Sequence, residues 1–262
     1  MSEALPTPID VRLMNAAAAL LYAAFGVLLA AAAVWWALRH PLFAIGGITV
    51  HGEVAHNNVA TLRANVAPRL AGNFFTTDLQ RSREAFEAVP WVRRAVVRRQ
   101  FPNRLRVELQ EHHAAAYWGA DSESRLVNTF GEVFEANPGD VDAEVLPRLA
   151  GPEGSASQVL AMHRALAPLF EPLDLSVEQL TLSVRGGWTA QLDTGAVVEL
   201  GRGSTEEVQA RAQRFVRTLT QVAQRFGRRP DALVSADLRH GDGYAVRLRG
   251  VATTDAQPPR RN

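Results

Sequence analysis

The residues most open to a chemical reading are glycines before a hydroxyl, two adjacent histidines and a short acidic run. Gly201-Arg202-Gly203-Ser204-Thr205 has the look of an anion cradle, because glycines before a helix N-terminus can present backbone N–H groups to a phosphate. It lacks the lysine and the spacing of a Walker loop. A strand, a turn and a helix capped by Ser204 account for every residue of it. Gly151-Pro152-Glu153-Gly154-Ser155 does not fit the G-x-S-x-G of a nucleophile elbow and reads as a turn ending in a capped helix. His112 and His113 are neighbours, which in a strand sends them to opposite faces, and no H-x-x-x-H pair is present. Cysteine is absent, which removes disulfides, thiolate catalysis and Cys-ligated metals. Asp140, Asp142 and Glu144 read as solvated loop carboxylates. No catalytic, cofactor-binding or metal-ligating residue is nominated, and no small-molecule substrate. Carboxylate pairs that meet only in space keep one rival reading open, a membrane-anchored periplasmic cell-wall enzyme.

A second group of residues suits docking rather than catalysis. All 28 basic residues are arginine, yet the net charge is only +1, which argues against a nucleic-acid binder. Arg93, Arg94, Arg98, Arg99, Arg104 and Arg106 crowd two adjacent strand-like runs. They form either a solvated face or a surface for acidic partners or anionic headgroups. Near the C-terminus, a strand over 244–248 is followed by a short polar stretch and is expected to be a sheet edge. An edge offers unpaired N–H and C=O groups that an extended partner can complete. Tyr244, Val246 and Arg247 would then tune specificity. Alternatively, Tyr244 and Val246 are core residues of an edge blunted by Arg247 and Arg249. Arg239, where the preceding strand gives way to a Gly-rich turn, is placed to reach a partner carboxylate with both arms of its guanidinium.

These residues need elements to hold them. Residues 16–38 carry no charge, and 23 residues at 1.5 Å each span about 34 Å, enough for a hydrocarbon core of roughly 30 Å. Trp35 and Trp36 mark its membrane–water boundary. A cleaved signal peptide is the competing reading. The run is too long for one, and Glu3 and Asp10 precede it with only Arg12, which favours an uncleaved anchor. Residues 1–15 are expected to be a short tail.

Beyond the anchor the pattern predicts β-α-α-β-β over 43–112. Its elements are a strand within 43–52, a helix capped by Asn57 or Asn58, a helix capped by Thr77 or Asp78 that stops before Pro90, and strands over 91–99 and 104–111. The last of these alternates, with Leu105, Val107 and Leu109 on one side. Residues 113–252 read as a mostly antiparallel β domain with two helices. The first opens on a Ser155/Gln158 capping box, carries Val159, Met162, Leu166 and Leu169 on one face, and is ended or kinked by Pro168. The second opens on a Ser204/Glu207 box and buries Val208, Ala212, Phe215, Leu219 and Val222. Residues 253–262 are expected to be disordered. The fold class is α+β.

Residues 43–111 resemble a POTRA domain, and Pro90-Trp91-Val92 with the run from Phe101-Pro102-Asn103 to Glu111 is similar to its FtsQ/DivIB version. Leu146-Pro147-Arg148-Leu149, Gly151-Pro152-Glu153-Gly154-Ser155, Leu200-Gly201-Arg202-Gly203 and Asp237-Leu238-Arg239 continue the likeness in the family's order. The resemblance implies a cytoplasmic tail, a single inner-membrane span and two periplasmic domains acting at the division septum. It implies a non-enzymatic scaffold that needs no cofactor, links early and late divisome components, binds FtsB and FtsL, and controls septal peptidoglycan synthesis. It places partner binding at Asp237, Leu238, Arg239 and His240 and on the strand with Tyr244, Val246, Arg247 and Leu248. His240 stands where family members often have tyrosine, and Arg247-Leu248 where some relatives have an aromatic.

Overall fold

The computed structural model describes residues 8–38, 40, 43–70, 72–119, 124–141, 146–240 and 243–251. The readings above that fall on residues 1–7, Asp142, Glu144, Gly241, Asp242 and 253–262 lie outside them. The chain divides into two compact units, Met1–Glu111 and His112–Asn262.

The first unit opens with helix α1, Ile9–Leu38, in which no residue is buried. It starts seven residues before the uncharged run (16 − 9), so residues 9–15 are helical rather than part of an unfolded tail. Asp10 lies in its first turn, where a carboxylate is favoured by the helix dipole. At 30 residues it is long and apolar enough to cross a membrane.

Strand β1 (Gly47–Gly52), helices α2 (Val59–Val66) and α3 (Leu79–Glu87), and strands β2 (Val92–Gln100) and β3 (Arg104–Glu111) follow. Among the described residues the sheet order is β1-β3-β2, with β1 parallel and β2 antiparallel to β3. The alternation in β3 is real: Leu105, Val107 and Leu109 are buried, and Val107 and Leu109 meet Leu62, Val66 and Phe86 from the helices. Asp78 caps α3 by accepting from the N–H groups of Gln80 and Arg81. The side-chain amide of Asn57 reaches away from α2. That amide donates to the Pro90 carbonyl (3.1 Å) and to Glu111 (2.9 Å). Glu111 is buried, and it also accepts from the backbone N–H of His56 and of Asn57. A buried carboxylate is tolerable with that many donors. His56 in turn stacks on Trp91, ring centroids 3.9 Å apart.

The second unit holds strands β4 (Ala114–Trp118), β5 (Arg125–Asn128), β6 (Val133–Glu135) and β7 (Arg148–Ala150), then helix α4 (Ala156–Phe170). Strands β8 (Val177–Leu182), β9 (Trp188–Leu192) and β10 (Val197–Gly201) precede helix α5 (Thr205–Arg225), and β11 (Leu233–Asp237) and β12 (Ala245–Leu248) complete it. Among the described residues these form one nine-stranded sheet, β12-β11-β10-β9-β8-β7-β4-β5-β6. Parallel neighbours need a crossover. Helix α4 supplies it between β7 and β8, and α5 between β10 and β11. Leu180, Trp188, Ala190, Leu192, Val198 and Leu200 share a buried core with both helices.

Ser204 and Glu207 form the expected capping box of α5. Its buried stripe is Val208, Ala212, Phe215, Leu219 and then Ala223, with Val222 only half-buried. The expected box at Ser155 does not form: its hydroxyl donates to the Pro152 carbonyl (2.6 Å) and leaves the helix N–H groups alone. Pro168 sits inside α4, which runs two residues further and gives way to a 3-10 turn. His112 and His113 lie between β3 and β4 rather than in a strand. His112 stacks on Phe134 and contacts the Asn128 amide (2.8 Å).

Candidate partner-binding edge

Strand β12 owes its position to the strand beside it. Leu233–Asp237 pairs in parallel with β10 on one side and antiparallel with β12 on the other, and among the described residues β12 lies at one end of the sheet, β6 at the other. Its side chains alternate. Val246 and Leu248 turn toward the core, Leu248 fully buried and Val246 half-buried, while Ala245 and Arg247 are exposed. Tyr244, just before the strand, packs edge-on against Phe215 of α5, and its hydroxyl bonds Thr218. Tyr244 therefore ties the start of the edge to α5, and Val246 packs against the core of the unit.

The turn out of β11 is set by Asp237. Its carboxylate accepts from the backbone N–H of Arg239 (3.0 Å) and, in bidentate fashion, from Nε (2.9 Å) and Nη2 (2.6 Å) of the same residue. These bonds from the Arg239 side chain, with its backbone N–H second, hold the Asp237 carboxyl down to about 2. The fork that sequence reasoning assigned to a partner carboxylate is thus already occupied within the chain. Arg239 nevertheless remains largely exposed, and a partner can share or displace the pair. Leu238 between them is buried, its N–H bonded to the Glu199 carbonyl (2.8 Å), so only its backbone is near the surface. Gly201 has φ +80, and a Cβ there would lie 3.1 Å from Arg239 Cγ, so a glycine lets the arginine lie flat.

Of the eight residues singled out, Arg239, His240 and Arg247 are exposed, Asp237, Tyr244 and Val246 are half-buried, and Leu238 and Leu248 are core. Sequence reasoning missed the ground beside them. A groove of about 310 Å³ is lined by Arg211, Arg214, Arg217 and Thr218 of α5 and by Leu238, His240, Gly243 and Tyr244. A second, of about 550 Å³, is lined by Arg185, Arg202, Arg211, Glu199 and Arg239. The signal was present: arginines at 211, 214 and 217 repeat every three residues along α5, on a face flanking the buried stripe. Among the described residues, no group of three or more His, Asp or Glu side chains is arranged to hold a metal ion.

A single apolar helix, a small β-α-α-β-β unit and a large sheet with one arginine-flanked edge define an α+β protein built for contact. The comparisons give the family. The chain matches "POTRA domain, FtsQ-type" over residues 43–112 and "Cell division protein FtsQ/DivIB, C-terminal" over residues 116–239. It is 45% identical over 243 residues to the cell division protein FtsQ of Burkholderia pseudomallei, covering 92% of this chain and 94% of that one. It is 39% identical to FtsQ of Bordetella pertussis, covering 83% and 84%. Similarity extends to the FtsQ of Neisseria meningitidis at 28% identity, with 84% and 89% covered. The chain belongs to the FtsQ/DivIB family of cell division proteins.

Proposed function

We propose that this chain is a bitopic, non-enzymatic scaffold of the division machinery whose final sheet edge receives the FtsB–FtsL pair. In this reading α1 crosses the inner membrane, the residues before it face the cytoplasm, and both units lie in the periplasm at the septum. The observation that carries it is the placement of β12 at one end of the sheet among the described residues, anchored inward by Tyr244, Val246 and Leu248 and exposing Arg247 outward. An extended partner segment adds to β12 as a further strand, main-chain bonds giving affinity. The arginines of α5 and Arg247 favour an acidic segment through charge complementarity.

The test uses the full chain in nanodiscs and the FtsB–FtsL pair. Val246→Pro removes a backbone donor and is expected to lower affinity at least about tenfold, or roughly 1.4 kcal/mol. Arg247→Glu, an exposed change that leaves the core intact, is expected to lower affinity in the same direction. Unchanged affinity in both, with unaltered melting temperatures, refutes the edge as the site. An active alkaline phosphatase fused at the C-terminus is the expected topology result; an inactive one on a full-length chain refutes the orientation.

A further inference from the structure

The end of the first unit nearest α1 gathers three connections that are far apart in sequence. Just past α1, His40 N–H bonds the Ala37 carbonyl (3.1 Å) and Phe43 N–H bonds that of His40 (3.0 Å). The loop between α2 and α3 then joins it: Phe74 N–H donates to the Phe43 carbonyl (2.8 Å), the Phe43 and Phe75 rings meet edge-on, and the Asn73 amide reaches the Leu38 carbonyl. The turn between β2 and β3 joins it too. Gly46 N–H donates to the Asn103 carbonyl (2.8 Å), and a Cβ on Gly46 would lie 2.7 Å from the Asn103 amide nitrogen. Arg99 fastens these loops together, donating to the carbonyls of Phe74 and Thr77, each at 2.7 Å.

This end presents aromatic rings and arginines to the outside. Phe101, at the tip of the β2–β3 turn, is 82% exposed, and Phe75 is 44% exposed. Arg69, just before the α2–α3 loop, and Arg104, just after the β2–β3 turn, are also exposed. Asp78, which follows the α2–α3 loop, is engaged in capping α3 and in pairing with Arg81 (3.6 Å). An exposed phenylalanine at a turn tip contributes nothing to the core. Aromatic rings beside arginines suit the headgroup zone of a bilayer, where a ring sits among acyl chains and a guanidinium meets a phosphate. Trp35 and Trp36, near the end of α1, mark that zone if α1 spans, and the contact of Asn73 with the Leu38 carbonyl keeps the α2–α3 loop close to that end.

We propose that this end of the first unit is a lipid-contacting surface, with Phe75 and Phe101 seated in the headgroup region of an anionic bilayer and Arg69 and Arg104 on its phosphates. The proposal rests on the reading of α1 as a membrane span. Seating fixes the first unit against the membrane, so that the anchor sets its orientation as well as its location.

The chain has no cysteine, so a single nitroxide can be placed without background. The test attaches it at Gln100→Cys, beside the turn, or at Val54→Cys, an exposed control just past the other end of β1. The full chain is assembled in nanodiscs of phosphatidylcholine alone or containing phosphatidylglycerol. The measurement is the ratio of collisions with oxygen to collisions with a water-soluble nickel chelate, which rises with depth in the bilayer. The expected ratio at Gln100 is several-fold above that at Val54 in phosphatidylglycerol discs. It falls to the Val54 level in phosphatidylcholine, and likewise with Phe101→Ser or Arg104→Glu in phosphatidylglycerol. Equal ratios at the two positions in phosphatidylglycerol overturn the proposal, as does a ratio at Gln100 that ignores lipid charge or survives both substitutions. A Gln100 label covered only on adding another protein assigns the patch to that protein and overturns it too. A chain that does not enter discs at all refutes the membrane span itself, a different result from a chain that enters with its label in water.

Discussion

Strands β2 and β12 each lie at one end of their sheets among the described residues, and they are built to opposite plans. Strand β2 is nine residues long, and a bare edge of that length invites pairing with any extended chain. It is closed from within the unit. Glu87 of α3 accepts from the N–H of Ala95 (3.1 Å), the pairing with β3 is irregular between Val92 and Arg94, and four arginines line the strand. Three of those arginines are engaged nearby: Arg93 with Gln110, Arg98 with Glu108, Arg99 with the loop carbonyls. Strand β12 is four residues long, carries a single arginine and is secured by apolar side chains beneath it. A long edge needs guarding, whereas a short one can be left open for one chosen partner. The arginines that drew attention in the sequence mark the guarded edge, and the quieter strand is the better candidate site.

The sharpest way to break the comparison is to remove what secures β12. Phe215→Ala is expected to destabilise the second unit by about 3–5 kcal/mol, since a buried ring that supports Tyr244 is lost. Urea unfolding should show that transition move while the transition of the first unit stays in place. The contrast between the two edges is tested by matched charge reversals. Arg239→Glu, which also sets two carboxylates against each other, is expected to weaken FtsB–FtsL binding by about 1–3 kcal/mol. Arg98→Glu on β2 is expected to leave that affinity unchanged, and equal losses from both would erase the distinction. A smaller effect belongs to Thr218→Val, which removes the hydroxyl bonded to Tyr244. It is expected to cost about 1 kcal/mol or less and to speed hydrogen exchange in β12 but not in β2.

The smallest effect concerns pH. His163 on α4 donates from Nε2 to the Val177 carbonyl (3.0 Å), and burial lowers its pKa below the ordinary 6.5. As pH falls through 6.5 the unfolded chain takes up the proton first. The contribution of this group is therefore complete above 6.5 and is lost as pH falls through the folded pKa. His163→Gln, which keeps an N–H donor, is expected to flatten the pH dependence of the second unit's unfolding midpoint. The Asp237 pair behaves alike lower down, persisting until pH drops from 3.8 toward about 2. Binding that relies on Arg239 should not respond to pH through Asp237 near neutrality.

Periodic features were legible in the sequence because burial imposes a repeat. The alternation in β3, the Ser204/Glu207 box with its stripe along α5, and the uncharged run all register in the composition of their own segment. What escaped depends on partners elsewhere. Asn57 or Asn58 reads as a cap, but nothing local shows that the Asn57 amide meets a distant carboxylate, Glu111. Ser155 matched the capping-box pattern, yet the turn from Pro152 offered a nearer acceptor. The start of α1 at Ile9 was hidden because Asp10 and Arg12 interrupt an apolar run without interrupting a helix. At the candidate site the edge itself was legible from its neighbours, but the Asp237–Arg239 pair was not. Residues two apart meet only when a turn folds them together, and nothing in a strand pattern announces the turn.

The order of the sheet also has a consequence in time. Among the described strands, β12 is the last to be made, and it pairs with β11 alone; β11 in turn reaches β10 only across the 21 residues of α5. Because chains fold from the N-terminus as they emerge, a molecule interrupted between Glu111 and Ala245 can carry α1 and a folded first unit yet lack this edge. If FtsB and FtsL are received there, their recruitment selects chains whose synthesis and export have run through the final strand.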